Sequence, residues 1–476
     1  MKLDQLAHAV GCTGVMSDME ITGLCTDSRR AKAGDLFFCY RGQKFDSHSC
    51  VVQLKEAGVA ALVCERKLDC DLPQIVVADG RAAVAKAARI VYGEAARVLK
   101  LVAVTGTNGK TTTTYMLDSI FRAAGKKCGI IGTLGITYGG RFIAPELTTP
   151  DPVYLHSVLR DMADCGVEYV FMEVSAHALY FDKVAGLKFE AGIFTNCTQD
   201  HLDFFQDMSS YAVCKKKLFE RGRCRRSVIN IDDAVGREIA RFAPSPMTYG
   251  LNNPADVFAV DVEESIEGVK FILNLCDELY EVELHVPAVH NAYNAMAAAT
   301  CAKLLGVNIE TIAKGLAALR SVPGRLERVG CFNGAHIFVD FAHTPDGLEK
   351  SLSSLKKLCR GRLYCLFGCG GNRDKTKRPL MGAVAAKYAD FCIITSDNPR
   401  YEEPYDIIRE IEDGVRPSGK SYVTVTDRET ATEYALNLLK EGDVLLVAGK
   451  GGENYQEIMG IKHSYNHNTV IKNIIG

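Results

Sequence analysis

The stretch LKLVAVTGTNGKTTTTYM, residues 99–116, joins an apolar run to a row of threonines through two glycines and a lysine. The apolar run predicts a buried strand. Apolar side chains then recur at helical spacing, at Leu117, Ile120, Phe121 and Ala124. A glycine-rich turn between a strand and a helix start is the usual cradle for a phosphate group, because backbone N–H groups and the helix dipole both face the anion. The stretch therefore predicts an ATP site at the edge of a parallel sheet.

Simple chemistry predicts a role for several positions of this loop. Gly106 and Gly109 let the backbone approach a phosphate closely, and Lys110 supplies positive charge for the outer phosphates. The hydroxyl of Thr111 can hold a magnesium ion. The pattern departs from a standard Walker A motif, because Val104 stands where that motif has a glycine. The loop residues predicted to bind nucleotide are Gly106, Thr107, Asn108, Gly109, Lys110, Thr111 and Thr112.

The composition is that of a folded protein with no overall attraction for polyanions. Hydrophobic residues make up 47% and charged residues 24% of the 476 positions, and the net charge is only -2. A chain of this length predicts about three domains. The 18 cysteines, without a secretory signal or a Cys-x-x-Cys pair, favour a reducing compartment over disulfides or a zinc site. We expect a cytoplasmic protein, a monomer, that binds no nucleic acid and inserts into no membrane.

Three regions follow one another along the chain. Residues 1–98 alternate short apolar runs with helical stretches, of which the alanine-rich 81–100 is the longest, and predict a small α/β domain. Residues 99–322 repeat strand, helix and strand at the interval of βαβ units. Pro323 marks a boundary, and apolar runs alternate with helical segments over 323–476, as in a doubly wound, Rossmann-like sheet. The predicted fold class is α/β in three domains, with a parallel-sheet P-loop ATPase core and a doubly wound C-terminal domain.

Acidic and histidine side chains follow two of the predicted central strands. Glu173 ends the strand in MEVSAHAL, and Asp200, His201 and Asp203 follow the next one in TNCTQDHLDF. Because the carboxyl ends of parallel strands form the ligand edge of a sheet, these residues favour magnesium and phosphate binding over a purely structural role. The lysines at 215–217 by themselves predict only a solvated helix face.

A series of motifs in this order resembles the Mur ligase family, ATP-dependent enzymes that form amide bonds in peptidoglycan synthesis. The motifs are TDSRRAKAGDLFF, GTNGKTTT, TTPD, EVSAHAL, DHLDF, YAVCKKKLF, PGRLE, DFAHTPD, FGCGGNRDKTKRPLMG, SDNPRYEEP and AGKGGENYQ. The resemblance covers the whole chain. It implies that 1–98 binds the UDP part of the substrate, 99–322 binds ATP, and 323–476 binds the incoming amino acid.

The resemblance also assigns site residues. It selects Lys215 as a lysine that becomes N6-carboxylated, and it places Ser28 at the uridine diphosphate. The implied catalytic residues are Lys110, Lys215, Glu173 and His201, and the implied magnesium ligands are Thr111, Glu173, His201 and Lys215. Contacts to the muramoyl dipeptide fall on Thr148, Thr149, Ser175 and Lys183. The remaining ATP contacts fall on Asn291, Asn294, Arg325, His343 and Asp346.

Arg400 is the residue expected to determine which amino acid the enzyme adds. In the family, Asp-Asn-Pro-Arg accompanies meso-diaminopimelate, which differs from lysine by a second carboxylate that a guanidinium can grip with two hydrogen bonds. The pocket implied by the match comprises Arg373, Asp397, Asn398, Arg400, Gly449 and Glu453. The implied reaction activates the D-glutamate γ-carboxylate of UDP-N-acetylmuramoyl-L-Ala-D-Glu as an acyl phosphate, which the amine then attacks. The alternative is a surface arginine paired with Glu402 or Glu403.

Three positions depart from the family pattern, and other functions stay open. Gly452 and His467 stand where a histidine and an aspartate are usual, and Lys183 stands where an arginine is expected. A lysine keeps the charge but loses the planar fork. The alternatives are the same chemistry with L-lysine, ornithine or another acceptor, as in folate-polyglutamate ligases, and a nucleotide-binding scaffold without catalysis.

Overall fold

A computed structural model of the chain describes residues 1–12, 17–42, 45–93 and 95–476. The N-terminal segment forms a four-stranded parallel sheet in the order β1-β2-β3-β4. Its elements are α1 (Leu3–Ala9), β1 (Gly23–Cys25), β2 (Asp35–Phe38), α2 (Val51–Glu56), β3 (Ala61–Cys64), β4 (Gln74–Val76) and α3 (Gly80–Val91). The helix predicted over 81–100 is thus too long. It ends at Val91, because Gly93 takes the left-handed conformation that terminates helices.

The central segment combines βαβ units with an antiparallel meander, β13 to β15, which the sequence pattern did not predict. Its first elements are β5 (Lys100–Thr105), α4 (Lys110–Ala123), β6 (Cys128–Gly132), β7 (Gly135–Tyr138), β8 (Arg141–Ile143), α5 (Pro152–Asp164), β9 (Tyr169–Glu173), α6 (Ala176–Tyr180), β10 (Phe189–Phe194), α7 (Leu202–Phe205) and α8 (Met208–Lys216). Its remaining elements are β11 (Cys224–Asn230), α9 (Ala234–Ala240), β12 (Pro246–Gly250), β13 (Val257–Ser265), β14 (Gly268–Leu275), β15 (Glu278–Leu284), α10 (His290–Leu304) and α11 (Ile309–Ala318).

The C-terminal segment forms a six-stranded sheet in the order β16-β17-β21-β18-β19-β20, parallel except for the edge strand β16. Its first elements are β16 (Glu327–Phe332), β17 (Ala335–Asp340), α12 (Pro345–Leu358), β18 (Leu363–Phe367), α13 (Lys377–Tyr388), β19 (Phe391–Ile394) and α14 (Pro404–Val415). They are followed by β20 (Tyr422–Thr424), α15 (Arg428–Asn437), β21 (Val444–Ala448), the hairpin β22 (Tyr455–Ile458) and β23 (Ile461–Ser464), and α16 (His467–Ile475).

Strand β18 shows why this sheet is covered on both faces. All five of its residues are buried. Leu363, Cys365 and Phe367 pack into one apolar cluster with α12, α13 and α14, whereas Tyr364 and Leu366 pack into another with α15 and α16. A continuous apolar strand with side chains on alternating faces needs a helix layer on each side. The α/β class with a doubly wound C-terminal domain is therefore confirmed, while the domain boundaries at 98 and 322 stay predictions.

The chain divides into two compact units. The first comprises Met1–Ala103, Lys126–Gly192 and Lys217–Arg225, and the second comprises Val104–Gly125, Ile193–Lys216 and Arg226–Gly476. The first unit contains the N-terminal sheet and the strand series β9-β6-β7-β8. The second contains the phosphate loop, the meander and the C-terminal sheet. Within the described ranges no helix is long and apolar enough to cross a bilayer.

Candidate active site

The glycine-rich loop lies between β5 and α4, as the sequence predicts. Gly106 and Gly109 have φ angles of +152° and +87°, and Gly109 precedes the first residue of α4. A Cβ at Gly106 would collide with the Thr195 hydroxyl, and a Cβ at Gly109 would collide with the Asn294 carboxamide. Only glycine fits both positions, so the loop keeps its backbone N–H groups open toward the helix N-terminus. Val104 is a buried residue of β5, where no glycine is needed.

Side chains from the end of β10 hold the loop in shape. Asn196 accepts a hydrogen bond from the backbone N–H of Asn108 at 2.9 Å, and the Thr195 hydroxyl donates to the Asn108 carbonyl at 2.7 Å. The ammonium group of Lys110 donates to the carbonyls of Gly106 and Thr107 at 2.9 and 2.8 Å. The lysine charge therefore lies over the concave side of the loop, where phosphate oxygens would bind.

Two residues distant in sequence reach the start of α4. Arg325 donates to the Thr111 hydroxyl at 3.0 Å and stacks on the Phe341 ring at 4.3 Å from its centroid. Asn294, which covers Gly109, donates to Asn291 at 2.9 Å. The structure thus brings two of the residues predicted to bind ATP, Asn294 of α10 and Arg325 of the loop before β16, to the phosphate loop, and Asn291 supports the first.

Asp346 also reaches the loop. One oxygen of its carboxylate accepts hydrogen bonds from Asn108 at 2.8 Å, from Thr198 at 3.2 Å and from Lys350 at 2.9 Å. Asp346 lies in the first turn of α12, where the helix dipole also favours a carboxylate. The N-terminal end of α12 is therefore fixed against the phosphate loop.

Asp200 connects two of the predicted histidines. Its carboxylate lies 3.3 Å from Nε2 of His201 and 3.8 Å from Nε2 of His343. Burial works to raise the pKa of Asp200, but the nearby positive charges of His343, His201 and Lys377 outweigh it and hold the pKa far below its usual value. His201 itself adopts a left-handed backbone, φ +56°, at the start of α7. Asp203, in the first turn of that helix, is exposed.

Lys215 differs from the two lysines that follow it. Its side chain is fully buried, and its Nζ has no hydrogen-bond partner among the residues that the structure describes. Burial lowers the pKa of Lys215 to about 8, against the opposing effect of Cys197, Asp200 and Asp233. Nζ lies 4.0 Å from the centroid of the Tyr211 ring.

Tyr211 joins Lys215 to the phosphate loop. Its buried hydroxyl lies 3.3 Å from the Thr107 hydroxyl. Lys216, in contrast, pairs with Glu238 at the surface. Of the three consecutive lysines, the structure therefore places Lys215 inside the site and makes its neutral form accessible near neutral pH.

The first unit holds a second group of predicted residues. Glu173, buried at the end of β9, accepts from the backbone N–H of Thr133 at 2.9 Å and from its hydroxyl at 3.0 Å. Thr148 lies 3.1 Å from the Thr133 hydroxyl. Thr149 donates to the Glu173 carbonyl at 2.9 Å and accepts from the backbone N–H of Ser175 at 3.1 Å. Glu173 and three predicted dipeptide contacts thus form one cluster.

Lys183 and Ser28 lie in the same unit. Lys183 pairs with Asp151 at 2.8 Å, two residues after Thr149, so its charge lies beside the predicted dipeptide contacts. Ser28 begins a short 3-10 turn after its N-cap Asp27. The structure does not join Ser28 directly to the Glu173 cluster, although the adjacent Arg30 pairs with Glu146 at 2.9 Å.

Arg400 is held by its backbone and its guanidinium. Its φ is +53°, and its backbone pairs with Glu457 and Met459 beside β22. Nη1 donates to the Gly371 carbonyl at 2.8 Å, and Nε lies 3.2 Å from the Glu457 carboxylate. The guanidinium is fixed on the glycine-rich loop after β18, and its Nη2 binds no acceptor in the described ranges.

The alternative of a surface arginine paired with Glu402 or Glu403 is wrong. Glu402 instead binds Arg378, a fully buried guanidinium, through two contacts of 3.0 Å. Arg378 also donates to Glu410 at 2.8 Å. Arg400 itself contacts Gly371 and Glu457. Burial tends to lower the pKa of Arg378, but Glu402 and Glu410 raise it above its usual value.

The other predicted pocket residues surround Asn398. Its side chain donates to Glu453 at 3.0 Å and accepts from the buried Lys450 at 2.8 Å, and Lys450 also binds Glu453 at 2.9 Å. The Asp397 carboxylate is buried, and Gly449, with φ +107°, lies so close that a Cβ there would come within 2.8 Å of Oδ2. Arg373 is exposed and, within the described ranges, forms no hydrogen bond or ion pair.

The donor set fits magnesium only with phosphate oxygens and a modified lysine. No group of three or more His, Cys, Asp or Glu side chains in the described chain could hold a metal ion alone. Magnesium typically binds one or two protein ligands together with phosphates and waters. The unpartnered Nζ of Lys215 repels a cation as an ammonium group, whereas a carbamate there would supply oxygen ligands.

Comparisons with known proteins agree with this geometry. Three models of Mur ligase domains match the chain: the family catalytic domain over residues 20–111, the middle domain over 104–302, and the glutamate ligase domain over 324–451. The chain is 41% identical over 447 residues to the UDP-N-acetylmuramoyl-L-alanyl-D-glutamate--2,6-diaminopimelate ligase of Geobacillus thermodenitrificans, covering 92% of this chain and 91% of that one. The chain belongs to the Mur ligase family.

Further relatives of this Mur ligase carry the same name. The ligase of Caldanaerobacter subterraneus is 40% identical over 462 residues, with 96% of this chain and 95% of the relative covered. A solved structure of a 2,6-diaminopimelate ligase superimposes with a TM-score of 0.70 at 30% identity, covering 100% of this chain and 99% of that one. As a Mur ligase, the protein is an ATP-dependent ligase.

Several residues of this Mur ligase at or near the phosphate loop were missed from sequence, among them Asn196, Thr198 and Lys350. Asn196 and Thr198 contact Asn108, and Lys350 contacts Asp346. The first two belong to TNCTQD, at the carboxyl end of β10, and their position at a ligand edge was the available signal. Lys350 follows Asp346 by one helical turn, a spacing that also occurs in ordinary surface ion pairs.

Proposed function

We propose that this Mur ligase joins meso-2,6-diaminopimelate to the D-glutamate γ-carboxylate of UDP-N-acetylmuramoyl-L-Ala-D-Glu, using ATP, in peptidoglycan synthesis. The observation that carries the choice of amino acid is the Arg400 guanidinium, which is anchored by Gly371 and Glu457 and binds no acceptor through Nη2 in the described ranges. Relatives about 40% identical over most of the chain are named for diaminopimelate. A guanidinium fixed at a pocket edge suits a carboxylate, which lysine lacks at that end.

The proposed mechanism begins at the phosphate loop. The N–H groups of the loop and the Lys110 ammonium bind the outer phosphates of ATP, while Arg325 and Asp346 hold the nucleotide beside Thr111. Charge is thereby gathered where the γ-phosphate passes to the γ-carboxylate, which becomes an acyl phosphate. Thr148, Thr149, Ser175 and Lys183 orient the dipeptide, and Ser28 binds the uridine diphosphate.

The family resemblance implies Thr111, Glu173, His201 and carboxylated Lys215 as the protein ligands of magnesium. When bound, it would neutralise the phosphate charge that develops during transfer. The burial of Lys215 supports carboxylation, because a neutral amine reacts with carbon dioxide and an ammonium does not. Tyr211 keeps this side chain against the phosphate loop.

In the second step the neutral amine of diaminopimelate attacks the acyl carbon; the amide C–N bond forms, the C–O bond to the phosphate breaks, and inorganic phosphate and a proton leave. Asp397, Asn398 and Glu453 supply acceptors for the ammonium groups of diaminopimelate. Arg400 and Arg373 bind the carboxylate at its far end. The free thiols of all eighteen cysteines, which lie in the described ranges, support our proposal that the enzyme acts in the reducing cytoplasm.

Phosphate release from ATP tests the proposed reaction. The purified enzyme would be assayed with UDP-N-acetylmuramoyl-L-Ala-D-Glu and either meso-diaminopimelate, D,D-diaminopimelate or L-lysine, with Lys110→Met as the control for contaminating ATPases. We expect turnover only with the dipeptide and the meso isomer together. Equal turnover with L-lysine would refute the substrate assignment while keeping the ligase chemistry, and a lack of turnover with every amino acid would favour a non-catalytic scaffold.

A further inference from the structure

Arg428, the first residue of α15, is one of the two largest fully buried side chains in the described chain. Its Nη1 donates to the Ser396 carbonyl at 2.9 Å, and its Nη2 donates to the Ala448 carbonyl at 2.6 Å. Ser396 immediately precedes the Asp397–Arg400 motif, and Ala448 immediately precedes Gly449. One guanidinium therefore binds the residue that precedes each of the two loops with the proposed diaminopimelate contacts.

His467 accepts a hydrogen bond from the remaining nitrogen of the same guanidinium, Nε. Nε of Arg428 donates to Nε2 of His467 at 3.0 Å, and Nδ1 of His467 lies 3.0 Å from the Tyr465 hydroxyl. A ring nitrogen that accepts from a guanidinium carries no proton, so the proton of the neutral ring is on Nδ1. Burial, aided by the charges of Arg428 and Lys450, holds the pKa of His467 well below its usual value.

The positively charged guanidinium of Arg428 also lies close to the carboxylate of Asp397. Because His467 is neutral, it accepts the hydrogen bond from Nε of Arg428 without cancelling the positive charge of the guanidinium. The nearest Asp397 oxygen, Oδ2, lies 3.7 Å from Nη1 and has no hydrogen-bond donor in the described ranges. Burial works to raise the pKa of Asp397, but Lys450 and Arg428 outweigh it and lower the pKa. Asp397 is thus a buried carboxylate with one oxygen that accepts no hydrogen bond in the described ranges, beside the guanidinium of Arg428.

We propose that Arg428 is a positioning residue for the amino-acid pocket, holding the Asp397–Arg400 loop and the Gly449–Glu453 loop at a fixed spacing. This inference rests on the proposed function, since it assigns those loops to diaminopimelate. A planar fork donates in three fixed directions at once, which a lysine ammonium on a flexible stem cannot reproduce. Small errors in the spacing of such groups weaken binding strongly.

Steady-state kinetics of Arg428→Met and Arg428→Lys test the inference in the enzyme of 476 residues. We expect the KM for meso-diaminopimelate to rise at least tenfold in Arg428→Met and by less in Arg428→Lys, while the KM values for ATP and for the UDP-dipeptide change less than twofold. Selectivity for meso-diaminopimelate over L-lysine should fall in parallel. Arg328→Met is the matched control, because it removes a guanidinium of the same domain that binds Glu267 at 2.7 Å.

The outcomes separate this inference from the proposed function. An equal change in all three KM values, or unchanged kinetics in both Arg428 variants, would overturn the positioning role even when the wild type uses diaminopimelate. If the wild type prefers another amino acid, the proposed substrate is wrong, and the same measurement with that amino acid still decides whether Arg428 acts on its KM. If Arg428→Met does not fold, the test is the smaller rise in the KM for meso-diaminopimelate that we expect for Arg428→Lys.

Discussion

Two cations of the candidate site, Lys215 and Arg400, lie in opposite surroundings. Lys215 is fully buried without a hydrogen-bond partner in the described chain, which destabilises its charged form. Arg400 remains charged and is oriented by Gly371 and Glu457. The surroundings of Lys215 make its amine chemically reactive, whereas those of Arg400 orient a permanent cation.

Replacing Arg400 by lysine tests its role in recognising the far carboxylate. Lysine keeps the charge but loses the two parallel hydrogen bonds, so we expect a loss of roughly 1.5–3 kcal/mol in binding, a rise in KM for meso-diaminopimelate of about 10- to 100-fold. The assay is phosphate release at varied diaminopimelate. The control is Arg409→Lys, an exposed arginine stacked on Tyr405, which should leave KM unchanged. An unchanged KM in Arg400→Lys would contradict the assignment.

Carboxylation of Lys215 is directly measurable. After equilibration with ¹³C-labelled bicarbonate near pH 8, the enzyme should show a protein-bound carbamate carbon by NMR, because the lowered pKa of about 8 leaves a large neutral fraction of the amine. The signal should disappear in Lys215→Arg, together with activity. It should persist in Lys216→Arg, whose lysine instead pairs with Glu238. A signal that survives Lys215→Arg would assign the carbamate elsewhere.

At the scale of elements, helix α4 determines where the phosphate site lies. Its N-terminus follows Gly109 directly, and three contacts from other segments converge there through Thr111, Asn108 and Gly109 itself. The free N–H groups of a first helical turn bind anions only when the backbone before them stays accessible. The glycine is therefore part of the site and not only of the turn.

Gly109→Ala tests this role against a matched glycine of the same helix. Gly109 has φ +87° and faces Asn294, whereas Gly125, just after the helix, has φ +74° with nothing within 4 Å of an added Cβ. In both variants the left-handed backbone would cost roughly 1–2 kcal/mol of stability, and in Gly109→Ala the collision with Asn294 adds to this cost. Only Gly109→Ala should also weaken ATP binding, by at least tenfold, in calorimetric titration. Equal ATP affinity in both variants would contradict the proposed site.

Helix α5 contains a pH-dependent contribution to stability. Burial, with a smaller effect of Arg89, lowers the pKa of His156 to about 4, while the unfolded chain binds the proton near 6.5. The unfolded state therefore binds more protons between these values, so stability is complete above about pH 6.5 and falls as the pH drops toward 4.

Urea unfolding of His156→Leu measures this contribution. Between pH 7 and pH 5 the wild type should lose about 2 kcal/mol more than the variant. His8→Leu, at an exposed position of α1, serves as the control and should behave as the wild type. An identical loss of unfolding free energy in wild type and His156→Leu would show that His156 does not cause the pH dependence.

At the scale of the whole molecule, the C-terminal segment combines its own sheet with contacts to the phosphate loop. Its two apolar clusters cover both faces of the six-stranded sheet and consist almost entirely of residues after Pro323. Arg325 and Asp346, in contrast, bind Thr111 and Asn108, more than 200 residues earlier. A self-sufficient core with outward-facing nucleotide contacts is typical of a domain that folds separately and acts jointly.

The isolated segment 323–476 tests the predicted domain boundary. We expect it to unfold cooperatively on heating, because its core is internal, and to bind no ATP, because the phosphate loop is absent. Circular dichroism melting and calorimetry measure both properties, and the chain of 476 residues is the control for ATP binding. A gradual, non-cooperative melt would place the boundary elsewhere.

Local patterns determined much of this protein from sequence. The strand, glycine turn and helix around residues 99–123 follow from apolar periodicity and from glycines that adopt positive φ, and both are properties of short segments. The runs that became β17, β18, β19 and β21 were also recognisable, because strands buried on both faces are continuously apolar. The order of the family motifs then indicated the chemistry and the residues expected to perform it.

The tertiary structure alone decided which identical residues differ in environment. Lysines 215, 216 and 217 are adjacent in sequence, yet only the first is fully enclosed and next to Tyr211. The links of Arg325 to Thr111 and of Arg428 to Ser396, Ala448 and His467 join segments that no local pattern connects. Burial and long-range hydrogen bonds depend on how the elements pack, and packing sets both the pKa of an amine and the direction of a guanidinium.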